Sequence, residues 1–70
     1  MTQYIDDSGL VYEVWYKSKK GQYLYRVHSR DGRWHVVPGT EWRPNPTEAE
    51  QDLDRLAREN GWKEKIFEKG

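Results

Sequence analysis

The spacing of apolar positions changes along this chain, from alternate residues in its middle to every third or fourth residue later. Residues 11 to 17, VYEVWYK, are dense in β-branched and aromatic side chains and predict a strand. Ser18-Lys19-Lys20-Gly21 is a polar turn, and residues 23 to 29, YLYRVHS, predict a second strand. Asp31-Gly32 suits a two-residue type I′ hairpin turn, and residues 33 to 37, RWHVV, follow as a third strand. Beyond the proline-rich connection GTEWRPNP the period becomes helical. Ala49, Leu53, Leu56 and Ala57 fall on one stripe of a helix expected over residues 48 to 59. Thr47 and Glu50 have the spacing of a capping box. Asn60-Gly61 supplies a left-handed stop, with Trp62 placed for the apolar contact that follows it. The expected architecture is α+β: a single domain over residues 1–70, with a three-stranded antiparallel β-meander packed on one C-terminal helix (βββα). Residues 1–9 and 68–70 are expected to be flexible, with Ile66 and Phe67 as candidates to dock on the core.

Turn geometry sets the register. A turn centred on Lys20-Gly21 pairs Tyr16 with Tyr25, Trp15 with Arg26, Val14 with Val27 and Glu13 with His28. A two-residue Asp31-Gly32 turn pairs Arg30 with Arg33 and His28 with His35. Alternation then sorts the side chains. Tyr12, Val14, Tyr16, Tyr23, Tyr25, Val27, Trp34 and Val36 form the face for the helix. Glu13, Trp15, Lys17, Leu24, Arg26, His28, Arg30, Arg33, His35 and Val37 form the other. A single helix cannot cover both, so the second face is left for solvent or a partner.

Composition sharpens this picture. At 70 residues the chain has room for a small core only, and with no cysteine it has no disulfide to support one. Its ten aromatic residues are the natural substitute. No apolar run approaches a membrane span, and the polar, acidic start MTQYIDDSG is unlike a signal peptide, so a soluble cytoplasmic protein is expected. The formal charge of zero is unevenly distributed. Residues 14–43 hold seven Lys or Arg against Asp31 and Glu41, whereas residues 44–60 hold five acids against Arg55 and Arg58. A basic strand module precedes an acidic helix.

Three chemistries suit the uncovered face. Arginines on a sheet can bridge base edges in a DNA groove, and lysines at a turn suit phosphates. On this reading Lys17, Lys19 and Lys20 at the first turn, Arg30 and Arg33 at the second, and Arg26 between them contact nucleic acid. Trp15 and Arg26 are equally the residue types of protein interfaces, where Trp42 would join them unless it closes the end of the core. The bland alternative is a solvated face on which Trp15 stacks on Arg26. In the assumed register Glu13, His28 and His35 form a row resembling a zinc or iron ligand set, but its spacing is no sequence motif, and neither metal nor cofactor is assigned. Catalysis is not expected. There is no Gly-rich phosphate loop, Ser8, Ser18 and Ser29 sit in no nucleophile context, and Asp52 and Asp54 point apart on a helix. Nor is a small-molecule substrate evident.

The segment YKSKKGQYLYRVHSRDGRWHVV followed by PTEAEQDLDRLAREN resembles the small arm-type DNA-binding domain of tyrosine-type phage and transposon integrases, a layout shared by the plant AP2 domain. The matching positions are Lys19, Gly21, Tyr23, Tyr25, Arg26 and Val27, with Thr47, Glu48 and Ala49. The resemblance implies a sheet lying in the major groove of double-stranded DNA, with Trp15, Lys17, Arg26, His28, Arg33 and His35 toward the bases. A DNA partner predicts steep salt dependence. The alternative, another protein, predicts salt-resistant binding that depends on Trp15 and Leu24.

Overall fold

The computed structural model describes residues 3–65 and is α+β: a five-stranded antiparallel sheet with one helix. The strands are β1 (Gln3–Ile5), β2 (Val11–Lys19), β3 (Gln22–Arg30), β4 (Trp34–Val36) and β5 (Lys63–Lys65). The helix α1 spans Pro46–Asn60, and the sheet order is β4-β3-β2-β1-β5. The expected meander is therefore its central part, widened by two strands that the sequence pattern did not indicate. Residues 3–5 are not a flexible leader but a strand, pairing Gln3 with Glu13 and Ile5 with Val11. The chain leaving the helix adds β5 outside it, pairing Lys65 with Gln3. Ile66, Phe67 and residues 68–70 lie outside the described residues.

The link from β1 to β2 is organised by Asp6. One carboxylate oxygen accepts from the Ser8 and Leu10 amides, each at 2.9 Å, and from the Ser8 hydroxyl; the other accepts from the Tyr12 hydroxyl at 2.7 Å. Such local side-chain bonding makes Asp-x-Ser-Gly a stable turn. At the next turn both Lys20 (φ 52°) and Gly21 (φ 77°) are left-handed, as a type I′ hairpin requires. The expected β2–β3 register follows, including Trp15 with Arg26 and Glu13 with His28.

The third turn departs from expectation. Asp31 does not adopt positive φ, and its carboxylate instead accepts from His35 Nε2 at 3.0 Å. The loop takes three residues, 31–33, and β4 pairs Arg30 with Trp34 and His28 with Val36. One extra loop residue moves every β4 side chain to the opposite face. His35 and Val37 thus join the helix side, Trp34 and Val36 leave it, and Arg33 sits in the loop.

The helix begins two residues earlier than the pattern suggested. Asn45, not Thr47, is the N-cap: its side chain accepts from the Glu48 amide at 2.9 Å and donates to the Glu48 carboxylate, with Pro46 preset for the first turn. At the other end Gly61 (φ 72°) closes the helix, and the Gly61 and Trp62 amides both donate to the Ala57 carbonyl. Trp62 then stacks flat on Tyr12, with ring centroids 3.7 Å apart. Leu53 and Val27 are fully buried at the centre, with Ala49, Ala57, Tyr12, Val14 and Val37 around them. Cover stops short of the β2–β3 tip, leaving Tyr16 and Tyr23 on the helix side 55% and 56% exposed. No helix among the described residues is long and apolar enough to cross a membrane.

Candidate nucleic-acid interface

Pairing defines what shares the helix-free face. β2 contributes Glu13, Trp15, Lys17 and Lys19; β3 contributes Leu24, Arg26, His28 and Arg30; β4 contributes Trp34 and Val36. Gln3 and Lys65 continue the Glu13 row, and Ile5 and Lys63 continue that of Val11 and Arg30. Glu13 accepts a hydrogen bond from Gln3, which occupies its charge locally. Lys17, Lys19, Arg26, Arg30, Lys63 and Lys65 make this side of the sheet basic. The helix on the other side carries five acids against two arginines.

The connection after β4 shapes the face. It runs beside β3, with Arg43 and Tyr25 exchanging both backbone hydrogen bonds, at 2.7 and 2.8 Å. Trp42 therefore does not close the end of the core as one reading of the sequence had it. Its ring lies on the basic face, 4.1 Å from Lys17 Nζ, 5.9 Å from Arg26 Cζ and 5.7 Å from the His28 ring. Buried Thr40 anchors the segment: its hydroxyl accepts from Arg26 Nε at 2.9 Å and donates to the Val37 carbonyl at 2.6 Å. Arg26 is thereby held half-buried against the tryptophan instead of ranging freely.

His28 is on this face but only 4% exposed. Trp15 covers it on one side, at 4.9 Å between rings, and Trp42 on the other. Its Nδ1–H donates to the Arg26 carbonyl at 3.0 Å. The imidazole supports the two indoles, while Trp15, 40% exposed, presents its ring outward. Arg30 lies 5.8 Å from the Trp34 ring.

Of the residues singled out from sequence, Trp15, Lys17, Arg26 and Arg30 come together on one surface, with Lys19 at the end of its strand and Lys20 in the adjoining turn. His28 lies beneath them, Arg33 is exposed in the third turn, and His35 is on the helix side beside Asp31. The Glu13, His28 and His35 row is consequently broken, and the described residues hold no group of three candidate metal ligands. Sequence reasoning passed over Trp34, Lys63 and Lys65, and did not settle the place of Trp42. The alternation Thr40, Glu41, Trp42, Arg43 was the available signal for the last.

A cleft of about 260 Å³ lies away from this face, lined by Asp6, Asp7, Ser8, Asn60, Gly61 and Trp62. The Asp6 carboxylate there is committed to its turn. Hydrogen bonds from Ser8 and Tyr12 hold its pKa down, at about 2. No family model, curated protein or solved structure matches this chain.

Proposed function

We propose that this chain is a non-enzymatic domain that binds nucleic acid through the sheet face opposite α1. The observation that carries the reading is the placing of Trp15, Trp34 and Trp42 on one surface with Lys17, Arg26 and Arg30. Cations would meet phosphates and aromatic rings would meet bases, while the acidic helix faces away. The resemblance to integrase arm domains points to the same surface.

Titration of fluorescein-labelled single-stranded and duplex oligonucleotides tests this at low and high salt. Binding should fall steeply between about 50 and 200 mM salt, and Lys17→Gln with Arg30→Gln should flatten the slope by about 1–2. Absence of binding to every oligonucleotide at low salt defeats the proposal. A protein partner becomes the better reading if binding to some protein ligand resists salt and depends on Trp15 and Leu24.

A further inference from the structure

Resting on the reading of this face as a nucleic-acid surface, we infer that its ligand is single-stranded, with an unpaired base stacked on the outer ring of Trp15. Two observations carry this. The first is width. A two-stranded ribbon fits a major groove roughly 12 Å across, but strands lie about 4.8 Å apart, and only the hairpin tip bearing Lys17, Lys19 and Lys20 is such a ribbon; around Arg26 and Arg30 the face is wider. At Trp15 and Arg26 the sheet is flanked by the segment bearing Trp42 and Arg43, and at Glu13 and His28 it is five strands wide. A surface that broad lies across a groove rather than in it.

The second is the state of the indoles. Trp42 is already occupied by Lys17 at 4.1 Å and is half-buried. Trp15 meets His28 at a tilt of 54° with centroids 4.9 Å apart, and His28 is itself fixed by the Arg26 carbonyl, so the ring is braced at one point while 40% exposed. A braced and exposed ring is a stacking platform, and a base in a duplex has no free π-face to offer it. Trp34 is half-buried like Trp42, but its cation stands farther off, Arg30 at 5.8 Å against 4.1 Å for Lys17, so it is a second ring that a base could reach once Arg30 turns to a phosphate. Arg26 and Arg30 are four residues apart on β3, a strand length of roughly 13 Å, so the line from Trp15 to Trp34 suits a short extended strand of several nucleotides.

The test compares oligo(dT), oligo(U) and a duplex, each of about 15 units, by fluorescence anisotropy and by quenching of intrinsic tryptophan emission. Both single strands should bind more tightly than the duplex and quench emission. Trp15→Leu preserves the apolar cover of His28 but removes the π-face, and should weaken single-strand binding at least about tenfold. Trp15→Phe should restore most of it. Circular dichroism confirms that each variant folds, and if Trp15→Leu does not, Trp34→Leu serves with the same expectation. Duplex binding equal to or tighter than single-strand binding, or unchanged single-strand affinity in folded Trp15→Leu, overturns this inference and leaves the broader proposal standing. No binding to any of the three overturns both.

Discussion

Trp42 and Arg43 are consecutive residues whose side chains serve opposite sides of the sheet. Trp42 lies over Lys17 on the basic face, whereas Arg43 reaches α1 and holds Asp52 through two bonds, Nε to Oδ2 at 2.7 Å and Nη2 to Oδ1 at 3.1 Å. Between them the backbone is paired to Tyr25. The position of the indole is therefore set partly by an ion pair on the far side of the sheet.

That ion pair is asymmetric. The Asp52 side chain is only 7% exposed, while that of Arg43 is 32% exposed. Removing Arg43 strands a buried carboxylate, with Arg55 left at 3.7 Å; removing Asp52 leaves a guanidinium that can turn to water. Arg43→Ala should cost about 2 kcal/mol in urea denaturation, and Asp52→Ala less. Arg43→Ala should also change tryptophan emission as Trp42 loosens.

Core and tip should respond very differently to truncation. Leu53 has no exposed surface and packs beneath β2 and β3, so Leu53→Ala should cost about 2–5 kcal/mol. Tyr16 and Tyr23 pack edge-on at 5.7 Å between rings but are more than half exposed. Tyr23→Ser should therefore cost no more than about 1 kcal/mol in the same measurement.

Lys20 bears the strain of the first hairpin, being the non-glycine described residue with positive φ. Lys20→Asn creates Asn-Gly, the preferred pair for this turn, and should raise stability by about 0.5–1 kcal/mol. Gly21→Ala meets no neighbouring atom, so any loss there is purely conformational, about 1 kcal/mol. Chemical denaturation of both variants checks the pair.

Stability should fall at both extremes of pH. Hydrogen bonds from Ser8 and Tyr12 lower Asp6 from 3.8 to about 2, so its contribution is complete above about pH 4 and is lost as pH falls toward 2. Tyr4, whose hydroxyl donates to Asp54, is raised from 10.0 to about 12. Tyr12 is likewise raised to about 12, by burial and by its bond to Asp6. Their contributions are complete below pH 10 and disappear as pH rises through 12. Tyrosinate absorbance should show two late-ionising groups, and Tyr12→Phe should remove one while moving the acid limb upward through Asp6.

The central hairpin was legible because one turn fixed it: Lys20 and Gly21 both went left-handed, and nine pairs of residues followed. The Leu53 stripe and the Gly61 stop were equally plain. β4 was misplaced because Asp-Gly also tolerates a three-residue loop, and an Asp31–His35 contact that no local pattern reveals accompanies the longer form. β1 and β5, QYI and KEK, are three residues each, too short for alternation to register. They form because tertiary pairing supplies partners that local propensity does not. On the interface, the cations were visible as composition, but their arrangement around Trp42 depended on a bridge between residues eighteen apart, Tyr25 and Arg43.

The layering of an acidic helix behind a basic sheet makes a formally neutral molecule a strong electric dipole. Near its isoelectric point of about 6.7, front and back of separate copies attract, and dissolved ions weaken that attraction within a Debye length of about 10 Å at 0.1 M. Modest salt should therefore increase the protein's solubility, the reverse of its expected effect on oligonucleotide affinity.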